Sequence, residues 1–93
     1  MRQYELIFIV HPDIDDVALN DVIDRVSSWI FDEDGEITNT ELWGKRKLAY
    51  LIRKQTEGTY VVMQIKMTIT ADSQLERNLR YLEPIMRYSI IAI

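Results

Sequence analysis

The chain has no cysteine among its 93 residues. That excludes a disulfide framework and any chemistry needing a thiolate. It has one histidine, His11, in a turn-like His-Pro-Asp, where lining the turn is the expected role rather than acting as a base. Its three glycines, at 35, 44 and 58, are isolated from one another, so no Gly-rich phosphate loop exists. Long hydrophobic runs are missing too. The N-terminal run is only five residues, far short of the roughly 20 a membrane span requires. It leads into His-Pro-Asp without a small-residue cleavage signal, so no membrane association and a cytoplasmic location are expected. Positive charge is scarce in the first half. Residues 1–44 hold two basic side chains, Arg2 and Arg25, against eleven acidic ones, a balance of −9. Residues 45–93 hold nine basic and four acidic, a balance of +5, giving the net −4. A partner meets that local field rather than the average.

What is present is ample hydrophobicity. At 47% apolar residues, the chain can build one core and, at this length, one domain over 1–93. Tyr4 to Val10 (YELIFIV) reads as a strand, apolar on both faces and therefore central in a sheet. Asp13 is a plausible N-cap for a helix over about 15–31, whose Leu19, Val22, Ile23, Val26 and Ile30 recur with a 3.6-residue period. Gly35 is placed to close that helix in the left-handed conformation. A long strand over about 36–54, with a bend or bulge at Gly44, pairs through a turn at Gln55–Gly58 with a third strand, TYVVMQIKM. A second helix over 69–83 buries Leu75, Leu79 and Leu82. Ser73 and Glu76 have capping-box spacing, and Pro84 stops the helix before a last strand, IMRYSIIAI. The order β-α-β-β-α-β, with right-handed crossovers, predicts an α+β class: a ferredoxin-like sandwich with a four-stranded antiparallel sheet and two helices on one face. The other face is then open. Its outward positions, Ile7, Ile9, Tyr60, Val62, Ile91 and Ile93, are mostly apolar, which points to a partner surface; shielding by Lys66 and Arg87 is the alternative.

Catalytic and metal chemistry find little support. DEDGE resembles part of a calcium loop, but counting from Asp32 the required Gly and Glu positions hold Ile37 and Trp43. No metal or cofactor is expected. The fold also hosts RNA-recognition motifs and acylphosphatases, so it decides nothing alone. The first want two aromatics where GTYVVMQI offers Tyr60; the second want an early phosphate loop, where this chain has the acidic HPDIDD. The densest positive charge falls on a strand: GKRKLAYLIRK carries Lys45, Arg46, Lys47, Arg53 and Lys54, with Arg77, Arg80 and Arg87 later. These cations could contact phosphate or guard an edge strand against aggregation, and the residues alone favour neither.

MRQYELIFIVHPD, LWGKRKLAYLIRKQTEGTYVVMQI and LERNLRYLEPIMRY, in this order and spacing, resemble the bacterial small-subunit ribosomal protein six family over nearly the whole chain. The resemblance implies a non-enzymatic component of the small ribosomal subunit without a small-molecule substrate. Its partners would be the central domain of small-subunit rRNA and ribosomal protein eighteen. Residue by residue it touches Arg2, Tyr4, Arg46, Lys47, Gly58, Tyr60, Arg80 and Arg87. Joined with the basic strand and the open face read above, the expected rRNA contacts are Arg2, Lys45, Arg46, Lys47, Arg53, Lys54, Arg80 and Arg87, and the expected protein-partner surface is Tyr4, Ile7, Ile9, Tyr60, Val62 and Ile91. Leu51 departs from the family pattern, which usually has Pro there. A free-standing RNA-recognition-like module is the alternative.

Overall fold

A computed structural model of the chain describes the backbone of residues 1–93 and every side chain except those at 69, 70 and 72. Six elements run in the expected order: β1 (Arg2–Val10), α1 (Asp16–Asp32), β2 (Glu36–Ile52), β3 (Gln55–Met67), α2 (Ile69–Tyr81) and β4 (Ile85–Ala92). The sheet order is β2-β3-β1-β4, with every neighbouring pair antiparallel, which is the ferredoxin-like arrangement. β1 is central, as its two apolar faces require, and β2 and β4 are the edges.

Strand alternation divides the apolar residues of β1 between two faces. Tyr4, Leu6 and Phe8 pair in register with Ile65, Met63 and Val61, and these six are buried against the helices. Val22, Val26 and Ile30 of α1 and Ala71, Leu75 and Leu79 of α2 complete the same core. Each large aliphatic or aromatic side chain so buried contributes about 1.5–3 kcal/mol, the main favourable contribution to this fold.

The helix ends differ from expectation in instructive ways. α1 is capped by Asp15, not Asp13: the Asp15 carboxylate accepts the Ala18 N–H at 2.7 Å. Asp13 belongs to the preceding turn, where its N–H donates to His11 Nδ1 at 3.2 Å, so His11 does line that turn. Removing the cap with Asp15→Ala is expected to cost about 1 kcal/mol, measured as a shift in urea midpoint at unchanged slope. At the other end the left-handed residue is Asp34 (φ 59°), not Gly35. The Asp34 N–H donates to Phe31 O and the Gly35 N–H to Ile30 O, a Schellman pair. Gly35 serves a different need. A Cβ there would stand 2.8 Å from both Ile30 Cγ2 and Ile30 O, so only glycine lets β2 leave this close to α1. Ser73 and Glu76 lie inside α2, whose N-cap position is Thr68, so they do not form its capping box.

The turn between β2 and β3 is also displaced. Its two tip residues are Arg53 and Lys54, both with positive φ (49° and 65°), the pattern of a type I′ turn whose twist matches the flanking strands. Ile52 pairs directly with Gln55, so the Gln55–Gly58 segment is strand rather than turn. Between the Lys47–Glu57 and Ile52–Gln55 pairs the ladder shifts, leaving extra residues in β2, and this bends the ribbon. The bent tip crosses the end of the sheet to the opposite edge, where Arg53 meets the start of β4. Gly58 permits the crossing: a Cβ there would overlap Ile9 Cγ2 and lie 3.2 Å from Met86 Cε.

Candidate nucleic-acid interface

The basic run in β2 does not form a single row. Gly44 (φ 78°) makes a bulge, as its sequence position predicts, so that Leu42 and Gly44 oppose the consecutive residues Val61 and Tyr60. Trp43, the extra residue, then lies on the open face and stacks on Tyr60, with ring centroids 6.3 Å apart and 15° between planes. Arg46, on that same face, sits 4.9 Å over the Trp43 ring. The Trp43 indole N–H donates to the Glu41 carboxylate at 3.0 Å. By alternation Lys45 and Lys47 take the other side, and Lys45 lines a cleft of about 470 Å3 with Asp16 and Leu19 of α1. The cations therefore straddle the exposed edge of the sheet.

A second cationic group forms where the hairpin tip reaches β4. Arg53, Arg80, Arg87 and Tyr88 line a cavity of about 280 Å3. The Arg53 guanidinium donates to Glu83 O at 2.8 Å and to Ile85 O at 3.2 Å. Arg80 Nε donates to the Tyr88 hydroxyl at 3.0 Å. That bond, with the electrostatic pull of Tyr88 and more weakly of Glu76, pushes the Arg80 guanidinium above its ordinary pKa. Arg87 lies 5.3 Å over the ring of Tyr50. Arg2 stands apart from both groups, roughly 26 Å of strand away from Val10, since the hairpin meets β1 at its other end. Among the described residues no set of three or more acidic or histidine side chains could hold a metal.

The family profile described as "Ribosomal protein S6" matches residues 3–92 of the sequence. The chain belongs to the ribosomal protein S6 family. It is 43% identical over 91 residues to "Small ribosomal subunit protein bS6" of Desulforudis audaxviator, covering 98% of this chain and 97% of that one. It is 42% identical over 91 residues to the protein of the same name from Thermoanaerobacter pseudethanolicus, covering 98% and 96%. Among solved structures it superposes on 30S ribosomal protein S6 of Thermotoga maritima with a TM-score of 0.93 at 30% identity, covering 99% of this chain and 87% of that one.

In this S6-family chain the expected protein-partner surface is only partly available. Tyr4 is not on it: the alternation of β1 turns its side chain toward the helices, where it is 5% exposed and part of the core. Ile9 and Val62 do lie on the open face but are 8% and 2% exposed. The crossing hairpin covers Ile9 near Gly58, and Val62 sits in register between Glu41 and Ile7. Ile7 and Tyr60 are half-buried, and Ile91, on edge strand β4, is 51% exposed. The sequence pattern of this S6 chain did not single out Trp43 and Tyr50, the two aromatics on which Arg46 and Arg87 rest. Only Gly44 signalled the first, because a bulge is what brings Trp43 onto the face of Tyr60.

Proposed function

We propose that this chain is a structural, non-enzymatic component of the small ribosomal subunit. In this reading it is a single domain over 1–93 that binds the central domain of small-subunit rRNA cooperatively with ribosomal protein eighteen, in the cytoplasm. Membership of the S6 family supports the ribosomal part. The observation that carries the RNA-binding part is the gathering of Arg80 and Arg87 around one cavity at the hairpin end, to which Arg53 brings Lys54 at the tip. Phosphate contacts of this kind position a protein on RNA and make its affinity salt-dependent. Most of the acidic residues of 1–44 lie in α1 and its flanking turns, where repulsion discourages non-specific RNA binding. With few cations on each protein, binding is expected to be cooperative with a protein partner held on the exposed part of the open face. Sedimentation with small ribosomal subunits tests the reading, together with binding of the rRNA central domain in the presence and absence of protein eighteen. Association that requires protein eighteen and weakens with salt is expected; no association in either condition overturns it.

One observation favours the alternative of an RNA-recognition-like module. Trp43 supplies, from the neighbouring strand, the second aromatic beside Tyr60 that the sequence pattern lacked. Binding of single-stranded RNA by the chain alone, abolished in Trp43→Ala, would favour that module over the cooperative ribosomal component.

A further inference from the structure

We propose that Arg53 is a positioning residue: it clamps the β2–β3 hairpin to the start of β4 so that the cations of both present one fixed surface to RNA. The inference rests on the ribosomal reading above. A two-stranded ribbon extending past its sheet has little stability of its own. β1 pairs with β3 only from Thr59 onward, so Gln55–Gly58 and the β2 residues opposite them have no third strand beside them. Arg53 ties this ribbon down through two carbonyls 30 and 32 residues away in sequence, Glu83 O and Ile85 O. Those carbonyls follow the end of α2 and open β4, so the clamp joins three elements at one point. The planar guanidinium suits this task, because two of its five donors reach two acceptors in a fixed geometry that an ammonium cannot reproduce.

The consequence is pre-organisation. With the tip held, Lys54 at the turn, Arg80 on α2 and Arg87 on β4 keep their mutual placement before RNA arrives, and Tyr50 of the hairpin stays beneath Arg87. Without the clamp, RNA binding must order the hairpin as well, and affinity falls by that ordering cost. Arg53 itself spends donors on backbone carbonyls, so its contribution differs in kind from a phosphate contact.

The test compares the full chain with Arg53→Lys and Arg53→Ala, measuring affinity for the rRNA central domain with protein eighteen across a salt series. Hydrogen exchange of the Ile52–Gly58 amides is followed in the free proteins. The expected result is that Lys and Ala weaken binding alike, by about tenfold, with an unchanged log–log salt slope and faster hairpin exchange in both variants. Wild-type affinity in Arg53→Lys, with a slope lower by about one in Arg53→Ala, would identify a phosphate contact and overturn the clamp. Unchanged hairpin exchange in both variants would overturn it as well. Failure of the wild-type chain to bind overturns the ribosomal reading and this inference with it, whereas wild-type binding with unaltered variants overturns the inference alone.

Discussion

Leu79→Ala is expected to destabilise the protein by about 2–5 kcal/mol, read as a lower urea midpoint at unchanged slope. Leu79 is 1% exposed and belongs to the core shared by α2, α1 and the helix-facing side of the sheet. Truncation removes its transfer free energy and leaves a cavity that the flanking strands fill only in part. The upper end of the range applies if the site stays open, and the lower end if Leu75 or Ile85 moves in. Leu79 also lines the cavity holding Arg53, Arg80 and Arg87, so the variant should loosen that cationic group. A loss below about 0.5 kcal/mol would show that α2 does not pack through this face.

Replacing Arg46 and Lys47 together with Ala is expected to weaken assembly onto rRNA and lower the log–log salt slope by roughly two units, about 0.9 for each phosphate no longer neutralised. Folding should suffer little, because neither residue is in the core. A modest stability cost of about 0.5–1 kcal/mol is expected from Arg46, whose guanidinium rests on Trp43. The two side chains lie on opposite faces of edge strand β2, so RNA must wrap that edge to meet both. A fall of about one unit would assign phosphate binding to one face only. If the charges serve instead to guard the edge, the slope stays unchanged and the double variant aggregates more readily. Salt-dependent assembly and solubility measured on the same sample decide between the two.

Local residue pattern was sufficient for the six elements and their order. α1 buries one face and shows a 3.6-residue apolar period, whereas β1 buries both faces and shows an unbroken apolar run, and each pattern is legible by itself. Topology followed, since β-α-β-β-α-β with right-handed crossovers has few compact solutions. Membership of the S6 family was legible as well, in the Trp-Gly-Lys-Arg-Lys-Leu-Ala-Tyr segment of β2.

Tertiary structure decided the rest. Which of several adjacent acidic residues caps α1 depends on backbone angles that sequence does not display, so Asp15 took the place of Asp13. The helix ends so that Asp34, one residue before the glycine, takes the left-handed position, while Gly35 relieves a close approach to Ile30 and the Lys66 carbonyl that no local pattern displays. The side of the sheet to which Trp43 turns depends on one inserted residue at Gly44. Tyr4 is the exception, since alternation from the outward Ile7 and Ile9 already puts it on the helix-facing side, where it joins the core. Above all, the path of the hairpin across the sheet end rests on hydrogen bonds from Arg53 to the carbonyls of Glu83 and Ile85, 30 and 32 residues away. Backbone carbonyls have no residue identity, so no pattern of side chains could announce their role in gathering the cations.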